Sequence, residues 1–162
     1  MTEEPGTDDH AIHRRFAVGL NNQVYDGIAA LGPDSSPLDQ ERVLYAAYAS
    51  TYHWLQIGDE ANHARGEYLI AKAALAVGRT DVALHHALRC LGLVDAHPEV
   101  MADWDRPFAY EVVARALAAN GDEAGARRAL DEVERLTALV ADPEDRAVIE
   151  DSLGEPPWFG LR

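Results

Sequence analysis

Two stretches of this chain carry the same punctuation, and that repetition constrains the fold more than any other feature. Residues 68–91, YLIAKAALAVGRTDVALHHALRCL, and residues 110–133, YEVVARALAANGDEAGARRALDEV, align on Gly78 and Gly121. In each, a run with apolar residues at helical spacing ends at the glycine, and a second run follows with Ala83 or Ala126 five residues beyond it. Glycine just past a helix end takes left-handed backbone without a Cβ clash. The pattern therefore reads as helix, tight turn, helix, twice over, with alanines where paired helices cross closely.

The rest of the chain fits the same alphabet. No run alternates like a strand, and helical periodicity dominates beyond the polar stretch at residues 1–9, which reads as a loose acidic tail. Breaks at 31–40, 57–60, 77–81, 95–107, 120–123 and 141–145 leave seven helices in one domain spanning 10–162. Ser36 before Pro37 and Asp142 before Pro143 each place a capping oxygen ahead of a proline at the first helical position. The segment RVLYAAYASTYHWLQI is apolar on nearly every side, which predicts a central helix, with the Tyr45, Tyr48 and Tyr52 stripe in the core. Trp104 and the PPWFGL stretch at 156–161 are apolar enough to clasp the body of the fold, and the C-terminal stretch reads equally as a docking peptide.

The anchor positions of the two repeated units are Glu67, Ile70, Ala71, Ala74, Ala83 and Ala87, then Tyr110, Val113, Ala114, Leu117, Ala126 and Leu130. This arrangement resembles the tetratricopeptide repeat (TPR), over roughly 64–94 and 107–137. The first unit lacks the family's aromatics, and 43 residues separate the two glycines where the usual period is about 34. The resemblance implies an all-α, right-handed stack of about three helical hairpins plus a C-terminal cap helix, the helices at 10–31 and 38–57 forming a divergent first hairpin. A compact antiparallel helical bundle is the alternative. The stretch 41–153 as a whole also resembles a group of bacterial helical proteins, a likeness that implies no activity.

Charge narrows the partners. The chain has 14 basic and 28 acidic residues and a formal charge of −14, which repels a nucleic-acid backbone and an anionic membrane surface. A single cysteine cannot close an internal disulfide, residues 1–9 lack the layout of a secretion signal, and no apolar run nears the roughly 20 residues needed to span a bilayer. These features point to the cytoplasm.

A TPR-like stack implies a concave groove that receives a protein segment. Carried over by position, its lining is Arg65, Tyr68 and Lys72 from one helix and Phe108, Glu111 and Arg115 from the next. Arg65, Tyr68 and Lys72 are spaced i, i+3, i+7 and share a face. Three cations with an aromatic beside them suit a carboxylate or another small anionic ligand. Ordinary solvated charges on a helix face are the competing reading.

The pair His85–His86 and the lone Cys90 raise a different chemistry. His86 and Cys90 are i, i+4, a spacing open to a soft metal, although Cys90 also fits as a small apolar filler. His85 and Arg89 read as a solvated pair, and His10 and His13 as an exposed one. His53, Glu67, His86 and Glu111 come from four successive helices and could converge on a transition metal, which is how helical bundles build metal centres. No His-Glu-x-x-His, Cys-x-x-Cys, phosphate loop or dinucleotide fingerprint is present. The sequence thus favours a binding module without a cofactor over an enzyme, with the metal centre as the alternative.

Overall fold

The structure, a computed structural model, describes residues 7–162. Seven α-helices and no strand are found among the described residues: α1 (Thr7–Ala30), α2 (Pro37–Ile57), α3 (Glu60–Ala76), α4 (Thr80–Ala96), α5 (Asp105–Ala119), α6 (Glu123–Thr137) and α7 (Pro143–Gly154). One 3₁₀ turn, Pro98–Val100, lies in the long connection before α5. No helix among the described residues is long and apolar enough to cross a membrane.

The helix ends follow the local chemistry. Ser36 accepts from the Asp39 amide while the Asp39 side chain accepts from the Ser36 amide, a reciprocal cap with Pro37 at the first position. Asp142 accepts from the Glu144 and Asp145 amides ahead of α7. At both repeat glycines the backbone is left-handed, φ +76° at Gly78 and +84° at Gly121. The Arg79 amide donates to the Ala74 carbonyl and the Gly78 amide to that of Leu75; Asp122 to Leu117 and Gly121 to Ala118 repeat the pattern. Both α3 and α5 thus end in the same double hydrogen-bonded turn, which needs the glycine.

Packing is pairwise and sequential: α1 with α2, α3 with α4 and α5 with α6 form antiparallel hairpins, each laid on the last, and α7 rests on α5 and α6. The first helices of the hairpins also meet directly, α3 touching α1 on one side and α5 on the other. Alanine makes this possible. Ala71, Ala74, Ala83, Ala87, Ala114 and Ala126 have no exposed surface, and all six are anchor positions of the repeated pattern.

Three expectations are corrected. The tail read over residues 1–9 is already helical from Thr7, because Asp8 and Asp9 in the first turn complement the positive end of the helix dipole; residues 1–6 lie outside the described residues. The α2 helix is not surrounded. Its buried face is Val43, Ala46, Ala47, Ser50 and Thr51, and the Tyr45, Tyr48 and Tyr52 stripe points outward at 63%, 40% and 58% exposure. The small residues belong to the packed face, and the tyrosines cover the remaining surface. Finally, Arg89 is not merely solvated, since it donates to Glu67 at 3.0 Å. The clasp at the C-terminus forms as expected, with Trp158 and Leu161 buried in the main core cluster.

Candidate functional site

Because α1, α3 and α5 run side by side, their shared face encloses a cavity of about 250 Å³. Tyr25 from α1, Tyr68 from α3, and Trp104 and Phe108 at the start of α5 form its aromatic wall. Asn21, Arg65 and Asp105 supply its polar groups, and small or aliphatic residues including Ala64 and Ala109 complete it. The rings meet edge to face, Tyr68 with Phe108 at 5.7 Å and Trp104 with Phe108 at 6.1 Å, the favoured arrangement for aromatic quadrupoles.

The cations expected to line the groove are differently employed. Arg65 forms a bidentate pair with Asp105, Nε to Oδ1 at 2.9 Å and Nη2 to Oδ2 at 2.8 Å, and lies 4.4 Å above the Trp104 ring. Asp105 is 4% exposed and also accepts from the Ala102 amide, so it locks the mouth of the cavity to the loop before α5. The bonds to Asp105 hold the Arg65 guanidinium above its ordinary pKa, and burial opposes them.

Arg115 is buried. Its Nε donates to Glu111 Oε1 at 2.7 Å, and its two terminal nitrogens donate to the carbonyls of Ser152, Glu155 and Pro157, at 2.7, 3.0 and 2.7 Å. Trp158 stacks on the same guanidinium at 3.9 Å. Glu111 has no exposed surface and accepts from Arg115, from Tyr68 at 2.8 Å and from Ser152 at 3.0 Å. Burial, then the Glu111 charge, pushes the Tyr68 phenol well above its usual range, so it stays a donor. Tyr25 keeps 43% of its surface exposed, yet desolvation and the charges of Glu111 and Glu155 push its hydroxyl up to about 12.

Of the expected lining, Arg65, Tyr68 and Phe108 border the cavity, while Glu111 and Arg115 form the polar bed beside it, covered by the chain's own C-terminal stretch. Lys72 is half-buried with its Nζ 5.7 Å from the Tyr68 ring, and makes no ion pair among the described residues. The expected three-cation stripe is therefore reduced to one uncommitted charge. Arg65 and Arg115 are neutralised by carboxylates about 40 residues away in sequence or one turn away on the same helix.

The four residues considered for a metal do not converge. Glu67 and His86 do meet, Oε2 to Nδ1 at 2.5 Å, and the His86 Nε2 bonds the Tyr48 hydroxyl at 2.9 Å. His53 instead faces His13, and Glu111 is held by Arg115. Among the described residues no three His, Cys, Asp or Glu side chains are arranged to share an ion. Burial works to raise the Glu67 pKa, but the bonds from His86 and Arg89 outweigh it and hold the carboxyl below its ordinary value. Cys90 is a filler: it is 3% exposed, and burial, aided by the charges of Asp105 and Glu67, pushes its thiol up to about 12.

Sequence reasoning missed Asn21, Tyr25 and Asp105. Tyr25 lies in the divergent first hairpin, which does not align with the repeated units, so no position carried over to it. Asp105 sits at a helix start, where an acidic residue is ordinary, and only the tertiary fold brings it to Arg65. Compared with known proteins, the chain matches no family model, no curated protein and no solved structure.

Proposed function

We propose that this chain is a TPR-like binding module that holds an extended segment of a partner protein along the face formed by α1, α3 and α5. An apolar side chain of the segment enters the cavity between Tyr25, Tyr68, Trp104 and Phe108, and an acidic group or chain terminus meets Lys72. The observation that carries this reading is the treatment of the C-terminal stretch. Arg115 grips the Glu155 and Pro157 carbonyls of that stretch and the Ser152 carbonyl at the end of α7, while Trp158 stacks on the guanidinium. That grip addresses backbone carbonyls with one aromatic anchor, which is how a helical face can hold a chain segment largely independent of its sequence.

The size of the cavity agrees with a peptide side chain. A space of about 250 Å³ falls below the range of drug-sized ligand pockets, roughly 300–1,000 Å³, and takes one or two side chains. Its walls are mainly apolar and aromatic, and Arg65 already has its carboxylate, so the cavity itself selects for shape and apolar surface. Lys72 supplies the charge preference. The net charge of −14 disfavours nucleic acid as the partner, and a single cysteine suits a cytoplasmic module.

The test is selection of binding peptides from a random display library on the full chain, followed by affinity measurements on variants. Tyr25→Ala, on a half-exposed wall, is expected to weaken the selected peptides at least tenfold, and Lys72→Glu to weaken those with an acidic group. Tyr45→Ala, outside the cavity, is expected to leave affinity unchanged. Peptides that bind Tyr25→Ala and Lys72→Glu as well as the parent contradict the reading.

A further inference from the structure

Away from the groove, α1 and α2 bring two imidazoles together, their ring centres 5.0 Å apart and their planes tilted by 55°. His13 Nδ1 and His53 Nδ1 lie 2.8 Å apart, although the residues are 40 positions apart in sequence. We propose that His13 and His53 form a two-histidine binding site for a divalent transition metal ion of the copper, nickel or zinc type.

The geometry is close to what such an ion requires. Imidazole nitrogens bind zinc at about 2.0–2.1 Å, so two of them in a tetrahedral shell stand about 3.3 Å apart. Opening the present spacing by about half an ångström takes small side-chain rotations and no movement of either helix. The contact is a hydrogen bond in which one Nδ1 donates and the other accepts, so an ion entering between the rings displaces that single proton, after which both nitrogens offer lone pairs to it. Nitrogen-only donors favour copper, nickel and zinc over magnesium or calcium.

The surroundings hold the pair in position. Phe16 stacks on the His53 ring at 5.2 Å with an interplanar angle of 19°, and Tyr52 meets it edge-on at 5.8 Å. One turn toward the start of α2, the Ser50 hydroxyl donates to the Ala17 carbonyl at 2.8 Å and fixes the two helices against each other. Water completes the shell around the two imidazoles, since no third His, Cys, Asp or Glu among the described residues is arranged to join them. The acidic charge of the whole chain attracts a cation.

This site differs from the one the sequence suggested. His86 has both ring nitrogens occupied, by Glu67 and by Tyr48, and so has no lone pair to offer without breaking that chain. It serves as the internal control.

The experiment is calorimetric titration of the untagged full chain, stripped with chelator and dialysed, with Cu²⁺, Ni²⁺ and Zn²⁺ in turn. The expected result is one ion per chain, copper tightest, with affinity reduced at least tenfold in His13→Gln and in His53→Gln and unchanged in His86→Gln. Far-UV circular dichroism checks that each variant remains helical. Imidazole ¹⁵N resonances of the unaltered chain give a variant-free readout, since metal must shift the His13 and His53 signals first. Absence of uptake overturns the proposal, as does uptake that survives both substitutions or that shifts the His85 and His86 resonances instead.

Discussion

Replacing Arg115 by methionine should loosen both the core of α5 and the C-terminal clasp. Methionine keeps the length and apolar stem but removes the guanidinium, which stands 3% exposed between Glu111 and three carbonyls. The Glu111 carboxylate, with no exposed surface, would then be held only by the Tyr68 and Ser152 hydroxyls. Removing one partner of a buried ion pair costs about 3–5 kcal/mol, because the remaining charge is uncompensated. The carbonyls of Ser152, Glu155 and Pro157 can recover water if residues 155–162 lift away, but that exposes Trp158 and Leu161, now 7% and 6% exposed. Exposure of each such side chain costs about 1.5–3 kcal/mol, so lifting does not rescue the variant. A loss of about 4 kcal/mol is expected in urea unfolding followed by circular dichroism. At roughly 2–4 °C per kcal/mol for a chain of this size, the melting temperature falls by on the order of 10 °C. Glu111→Gln combined with Arg115→Met removes the orphaned charge as well and should recover at least about 1 kcal/mol of that loss. The reasoning is refuted if Arg115→Met costs under about 1 kcal/mol, or if the double variant is as unstable as the two single losses added together.

Other outcomes follow from the same geometry. Gly78→Ala and Gly121→Ala should each cost about 1–2 kcal/mol through left-handed backbone alone, since a Cβ at either position meets no atom within 4 Å; thermal melts of the two variants check this. Glu67 has its folded pKa depressed below the ordinary carboxylate value, so its contribution to stability is present above that value and lost as pH falls through the folded pKa. The stability gap between the parent and Glu67→Gln, measured by urea unfolding from pH 7 down to pH 3, should accordingly shrink toward acid; a gap that widens refutes the assignment. The Cys90 thiol, buried and pushed up to about 12, should react with a thiol reagent at pH 8 only after denaturant is added, and rapid labelling of the native protein contradicts its role as filler.

What could be read from residues alone divides along a physical line. Gly78 and Gly121, the caps at Ser36 and Asp142, and the alanines at the hairpin crossings act locally or at helical spacing, and the structure uses each as its chemistry suggests. Helical periodicity shows that Tyr45, Tyr48 and Tyr52 share a face, but not whether anything packs on it. Here Tyr48 meets only the His86 ring and Tyr52 the edge of His53 while all three keep much of their surface exposed, because the alanine and hydroxyl face of α2 is the one that fits against α1 and α3. Charge pairing is less legible still. Arg65 finds Asp105 across 40 residues, and Arg115 finds backbone carbonyls of residues 152–157, partners with no sequence signature at all. The groove positions carried over from the TPR likeness fell near the cavity for Arg65, Tyr68 and Phe108, whereas the sign of the surface they would offer depended on those long-range pairs.

The central claim is that the α1, α3 and α5 face receives a chain segment. The most direct measurement is a map of backbone amide shifts of the ¹⁵N-labelled full chain, as a peptide selected from the random library is titrated in. The account predicts saturable shifts concentrated at Asn21, Tyr25, Tyr68, Lys72, Trp104 and Phe108. Shifts gathered instead along Tyr45–Leu55 on the outer face of α2, with the cavity residues unmoved, would contradict it.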